Sequence, residues 1–174
     1  MTQSARTLLP EPNEYNEFYR RYVALVPEGD VVETLAEQAE PTLDFLRALG
    51  EARASEPYAA GKWTIKQVVG HLIDCERVFA YRALTFARGN AAELPGMDPD
   101  GFMVDGNFGT RTLSDLCDEL EYLRRANVSM FAGLPEAVWL RFGIASGSSV
   151  SVRALAFILA GHERHHLKIL RAAL

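Results

Sequence analysis

"SVRALAFILAGHERHHLKIL", residues 151–170, decides the reading of the whole chain. It contains no proline, and its second half holds His162, His165 and His166, three of the protein's four histidines. On a helical wheel of about 100° per residue with Leu155 at zero, His162 falls near −20° and His166 near +20°. Leu159, Ile169 and Ala173 share that sector, whereas Arg164, Lys168 and Arg171 face away. The two histidines therefore occupy the middle of an apolar seam, one turn apart. His165 lies roughly 80° from its centre, at the edge. Two imidazoles at i and i+4 on a buried face converge on a point between them, as a transition metal requires. A seam histidine can also be a core residue satisfied by a hydrogen bond. Glu163, at the seam's border, reads as part of a solvated face or an interhelical salt bridge.

The rest of the chain shows the same helical period. "NEYNEFYRRYVALV" (13–26) places Tyr15, Phe18, Tyr19, Tyr22 and Val23 on one face, and "PEGD" stops it. Leu35, Leu43, Leu46 and Leu49 continue the pattern over 31–49, with Pro41 predicting a kink or break near Glu40. Thr64 and Gln67 form a T-x-x-Q capping box at the start of a helix that runs to about Arg88, where Gly89-Asn90 stops it. A further helix is expected from Thr112 or Ser114 to Ala132, and the last from Ser149 or Val150 to the C-terminus. Between the second and third lies a glycine-rich loop of over 20 residues; Phe102, Met103, Val104 and Phe108 predict an ordered lid packed on the body. Residues 136–151 form a second connection, with little β-type alternation and no Asn-Gly hairpin signal. The expectation is an all-α, antiparallel four-helix bundle with long ordered loops, one domain over 1–174.

Composition narrows the class of partner. With 48% hydrophobic and 24% charged residues the chain reads as a soluble globular protein. A formal net charge of −5, with no basic run, argues against nucleic acid or an anionic membrane as partner. The N-terminal stretch lacks the apolar core of a signal peptide, and no segment approaches the roughly 20 apolar residues of a membrane span. Cys75 and Cys117 have no paired spacing and read as free thiols packed in helices, consistent with a cytoplasmic location.

The fourth histidine changes the weight of the other three. His71 lies in "KWTIKQVVGHLIDCERVFAYRAL" (62–84), whose apolar stripe is Ile65, Val68, Leu72, Cys75, Phe79 and Phe86. His71 borders that stripe and shares its side with Gln67, Asp74, Val78 and Arg82. A half-inward histidine beside a polar strip suits a ligand facing a cavity. His71, His162 and His166 together make a facial three-histidine site whose other positions are left to water or substrate, the mark of a catalytic metal. Neutral imidazole accommodates zinc, nickel, iron, manganese or copper alike. Asp74 and His165 are candidates to support the ligands or a bound water.

At these residues the sequence resembles the DinB/YfiT-like superfamily. The resemblance rests on residues 62–84, on "LPGMDPDGF" (94–102) and on the closing residues 151–170. It implies a four-helix bundle, often dimeric, with a divalent metal held by three histidines, here His71, His162 and His166. Relatives in that family use the metal to activate a low-molecular-weight thiol, such as bacillithiol or mycothiol, and others are described as metal-dependent hydrolases.

Two functional classes follow. The first is a metal-dependent enzyme acting on a small molecule, either a thiol S-transferase with a low-molecular-weight thiol as cosubstrate or a hydrolase. Thiol transfer is preferred because Leu72, not the glutamate general base of many metallohydrolases, follows His71. Arg82, Asp98 and Asp105 are candidates for contacting the substrate. The second is a non-catalytic metal-binding bundle for sensing or stress protection, with a closed coordination sphere. A homodimer is the expected assembly.

Overall fold

The computed structural model describes residues 4–90 and 92–174. Met1–Gln3, in the stretch read for a leader, and Ala91, in the long loop, lie outside them. The helices, in chain order, are α1 (Arg20–Val23), α2 (Val31–Glu37), α3 (Ala39–Ala54), α4 (Ile65–Ala87), α5 (Pro99–Asp105), α6 (Leu113–Ala132) and α7 (Val152–Ala173). A two-stranded antiparallel hairpin, β1 (Phe142–Ala145) and β2 (Ser148–Ser151), precedes α7. Four long members form the bundle: α2 and α3 taken together, then α4, α6 and α7. Helix α4 packs on α7 and α6, and the α2–α3 pair closes the ring against both.

The predicted signals at the helix ends act as physical caps. Thr64 Oγ1 accepts from the Gln67 backbone N–H at 3.1 Å while Gln67 Oε1 accepts from the Thr64 N–H at 2.8 Å. Arg88 closes α4 and Gly89 leaves it at φ +78°. Thr112 caps α6 by accepting from Asp115 N–H. Among the described residues no helix is long and apolar enough to cross a membrane.

Four expectations need correction. The 13–26 segment is not one helix: it is two 3-10 turns, Pro12–Glu14 and Glu17–Tyr19, followed by the short α1. Tyr15 is extended, and the Asn16 side chain takes the Phe18 N–H, a local bond that competes with helix. The break between α2 and α3 falls at Gln38 rather than near Glu40. Pro41 sits in the first turn of α3, where its missing N–H costs no helical bond. Residues 142–151 form the hairpin, because Ser146 and Gly147 both adopt positive φ (54° and 70°), a turn matched to strand twist. Helix α7 therefore starts at Val152, with Ser151 as its cap.

The long loop is ordered, but it packs differently from the expected lid. Leu94 joins the hairpin through Leu94 N–H to Ile144 O (2.9 Å) and Ser146 N–H to Leu94 O (3.1 Å). Phe108 is buried in the lower core, whereas Phe102 and Val104 are exposed.

Candidate metal centre

The two Gly-His dipeptides sit where backbone or ring must approach a helix closely. At Gly161, before His162, a Cβ would overlap the carbonyl of Tyr22 in α1. At Gly70, before His71, it would overlap the ring of Phe108. Only glycine lets those neighbours in at the present spacing, and they press on α4 and α7 where each helix turns its histidine inward.

The Nε2 atoms of His71 and His166 each lie 3.1 Å from His162 Nε2. The ligating nitrogens of the three residues all fall within 4.8 Å of one another. His71 and His162 are 7% and 5% exposed, and His166 is half-buried. Burial pushes the His71 imidazole down to about 4 and His166 down to about 3, and it lowers His162 as well. Repulsion between the rings adds to the effect on His162 and His166. All three are therefore neutral near pH 7, the form in which imidazole ligates.

This donor set fits a metal better than it fits itself. A neutral imidazole nitrogen is either a donor or an acceptor, not both. His162 Nε2 nonetheless faces two other ring nitrogens at hydrogen-bond distance. Nitrogens bonded to one zinc at about 2.0–2.1 Å would lie about 2.9–3.4 Å apart, which brackets both spacings.

Aromatic rings surround the cluster. Tyr22 meets His162 edge-on at 5.2 Å between centroids, Phe79 does so at 5.9 Å, and Trp63 lies 5.1 Å from His71. The histidines open on a cavity of about 400 Å³ that Cys75, Arg21, Arg82 and Met97 also line. Grooves of about 500 and 720 Å³ lie elsewhere on the surface, but neither contains a histidine.

The other candidates separate clearly. His165 lines the cavity, stacked edge-on against Tyr22 and His166, and burial lowers its pKa. Arg82 lines it too. Asp74 does not, although it is half-buried and burial raises its pKa. Asp98 caps α5 by accepting from Asp100 N–H, and Asp105 is exposed near the other end of that helix; neither lines the cavity.

Sequence reasoning treated Cys75 only as a small apolar residue. Its Sγ lies 3.6 Å from His71 Nε2 and 3.9 Å from Met97 Sδ, and burial pushes its thiol up to about 12. Its i+4 spacing from His71 was the available signal. Of the two sequence readings of Glu163, the interhelical salt bridge is the one present: it is buried and pairs with Arg124 of α6. Arg124 also binds both Glu76 oxygens at 2.8 Å, and Thr42 donates to Glu163. Burial works against the Arg124 charge, but Glu163 and Glu76 outweigh it and raise the pKa. This cluster ties α3, α4, α6 and α7 together beside the His162 turn.

The sequence profile of the DinB superfamily matches residues 34–170. The chain belongs to the DinB superfamily. The match spans from α2 nearly to the end of α7 and so includes His71, His162 and His166. Among solved structures, this DinB protein is similar to YfiT from Bacillus subtilis, described as a probable metal-dependent hydrolase with an unusual four-helix bundle topology. The two share 17% identity over 94% of this chain and 90% of that one, with a TM-score of 0.69, a likeness of fold. None of the curated proteins compared with the chain matches it.

Proposed function

We propose that this DinB protein is a metal-dependent enzyme in which His71, His162 and His166 hold one divalent ion beside a small-molecule pocket. The observation that carries the reading is the convergence of three neutral ring nitrogens on a cavity with room for a substrate. A non-catalytic binding bundle would instead close the coordination sphere.

When bound, the metal supplies Lewis acidity that lowers the pKa of a thiol or water held there. The chain's own residues do the rest. Burial keeps the three imidazoles neutral and ready to ligate. The rings of Tyr22, Trp63 and Phe79 exclude bulk water, which strengthens electrostatic interactions inside. His165, also held neutral, offers a ring nitrogen to receive the proton released by the nucleophile.

Among the described residues no carboxylate lines the cavity. That favours S-transfer from a small thiol, which needs a proton acceptor but no carboxylate base. Hydrolysis is the second reading, favoured by the description of the Bacillus subtilis protein. The working assembly is a homodimer of single-domain chains, 1–174, acting on a small molecule in the cytoplasm.

The test is metal analysis of untagged protein, followed by electrophile conjugation with several thiols alongside an ester and amide hydrolysis panel. One metal per chain with thiol-dependent turnover is expected. Absence of stoichiometric metal after zinc, nickel, iron and manganese have each been supplied would sink the reading.

A further inference from the structure

We infer that Arg82 anchors a carboxylate of the bound small molecule, so that the pocket takes an anion with an apolar body. This deepens the preceding reading and takes from it only the identity of the site.

Among the described residues three arginines are buried: Arg82, Arg124 and Arg153. Two are matched by acids, Arg124 by Glu76 and Glu163 and Arg153 by Glu14. Arg82, 4% exposed, has no carboxylate within ion-pair distance among the described residues. Its protein bonds both leave from Nη2, to Pro95 O at 2.8 Å and Ser146 Oγ at 3.0 Å. These pin the long loop to the hairpin turn, but they are neutral acceptors and they leave the N–H groups of Nε and Nη1 without a protein partner among the described residues. A buried guanidinium without a counter-charge is costly, and a chain that pairs its other two has the means to avoid it.

The position of Arg82 fits a ligand. It lies eleven residues after His71 on the same helix, hence on nearly the same face and about 16 Å further along the axis. It lines the histidine cavity, and so does Arg21, while no described carboxylate does. Arg82 thus places positive charge at a distance from the three ring nitrogens, with apolar side chains such as Val78 and Phe79 on the wall between, whereas Arg21 sits at the histidine end, beside Tyr22. A molecule with a carboxylate at one end and its reactive group beyond an apolar stretch satisfies both ends.

The test is calorimetric titration of the full chain, with and without one equivalent of zinc, using 6-phenylhexanoate and its neutral amide. Wild type should hold the carboxylate at least about tenfold more tightly than the amide, the worth of one charge-assisted hydrogen bond. It should do so with and without zinc. Arg82→Gln should abolish that preference while holding the amide within about twofold of wild type, and Arg82→Lys should retain part of it. No preference in wild type, or one that survives Arg82→Gln, overturns the proposal. Should Arg82→Gln fail to fold, the side-chain Nε–H resonance that Arg82→Lys removes decides instead. In the wild-type spectrum it must move with the carboxylate and not with the amide; an unmoved signal overturns the proposal equally. Zinc stoichiometry is read separately. A chain that takes no zinc but prefers the carboxylate through Arg82 sinks the metal reading and leaves this one standing.

Discussion

His71 Nε2 and His162 Nε2 stand 3.1 Å apart, although 91 residues separate them in sequence. The juxtaposition follows from the packing of α4 on α7 and from the glycine that precedes each histidine. His166 joins them because it lies one helical turn from His162, also at 3.1 Å. His162 Nε2 therefore faces two ring nitrogens with a single lone pair or a single proton to offer them.

Removal of the shared member should empty the site. His162→Ala is expected to weaken divalent metal binding by at least about a hundredfold, beyond what loss of a supporting hydrogen bond does. His165→Ala should leave metal content unchanged while slowing turnover. Chelator competition and elemental analysis check both; equal metal loss in the two variants would contradict the assignment.

The metal-free protein should lose stability in mild acid. Burial holds His71 and His166 at about 4 and about 3 in the folded protein, against about 6.5 for a free histidine side chain. Both are depressed, so the unfolded chain takes protons first. The stability of the neutral rings is fully present above pH 6.5 and is lost as pH falls toward 4 and 3. For His71 alone the full difference is on the order of 3 kcal/mol. The urea midpoint of metal-free protein should fall between pH 6.5 and 4.5, before most carboxylates titrate, and saturating zinc should raise the midpoint throughout that window. A midpoint constant across this window would contradict the burial of the rings.

The buried ion cluster should be among the least tolerant places in the chain. Arg124→Met leaves Glu76 and Glu163 facing one another without a cation, and breaking such a pair costs about 3–5 kcal/mol. Chemical denaturation of the variant at pH 7 measures the loss. Acid should partly rescue Arg124→Met relative to wild type, because protonating either glutamate relieves the repulsion.

Periodicity made the bundle legible, since each long helix buries one face and repeats its apolar residues at that spacing. The same wheel placed His162 and His166 together and His165 apart. What it lacked was non-local information. Glu163 lies at a seam border, and its burial is explained by partners far off in sequence, Arg124, 39 residues earlier, and Thr42, 121 residues earlier. The hairpin is not legible because its turn is Ser146-Gly147, without the Asn-Gly signal; Leu94 docks beside it from the long loop. The sequence marks Arg82 as a candidate substrate contact on His71's side of the helix, on a par with Asp98 and Asp105. Its missing counter-charge becomes visible when the other buried arginines are seen with theirs.

The glycines beside the ligands make the sharpest contrast. In a helix interior Gly→Ala normally gains up to about 1 kcal/mol. At Gly70 and Gly161 the added methyl overlaps a neighbour, so both substitutions should destabilise, by about 1–3 kcal/mol or more. They differ in what is struck. The obstacle at Gly70 is the Phe108 side chain, so Phe108→Ala should restore part of the loss in Gly70→Ala, as a double-mutant cycle would show. The obstacle at Gly161 is the Tyr22 backbone carbonyl, which no side-chain truncation removes. Tyr22→Ala should therefore fail to rescue Gly161→Ala. Because the strain falls one residue from His162, metal affinity should drop in Gly161→Ala even where the fold persists. Rescue by Tyr22→Ala would show that the ring, not the backbone, sets the spacing of α1 on α7.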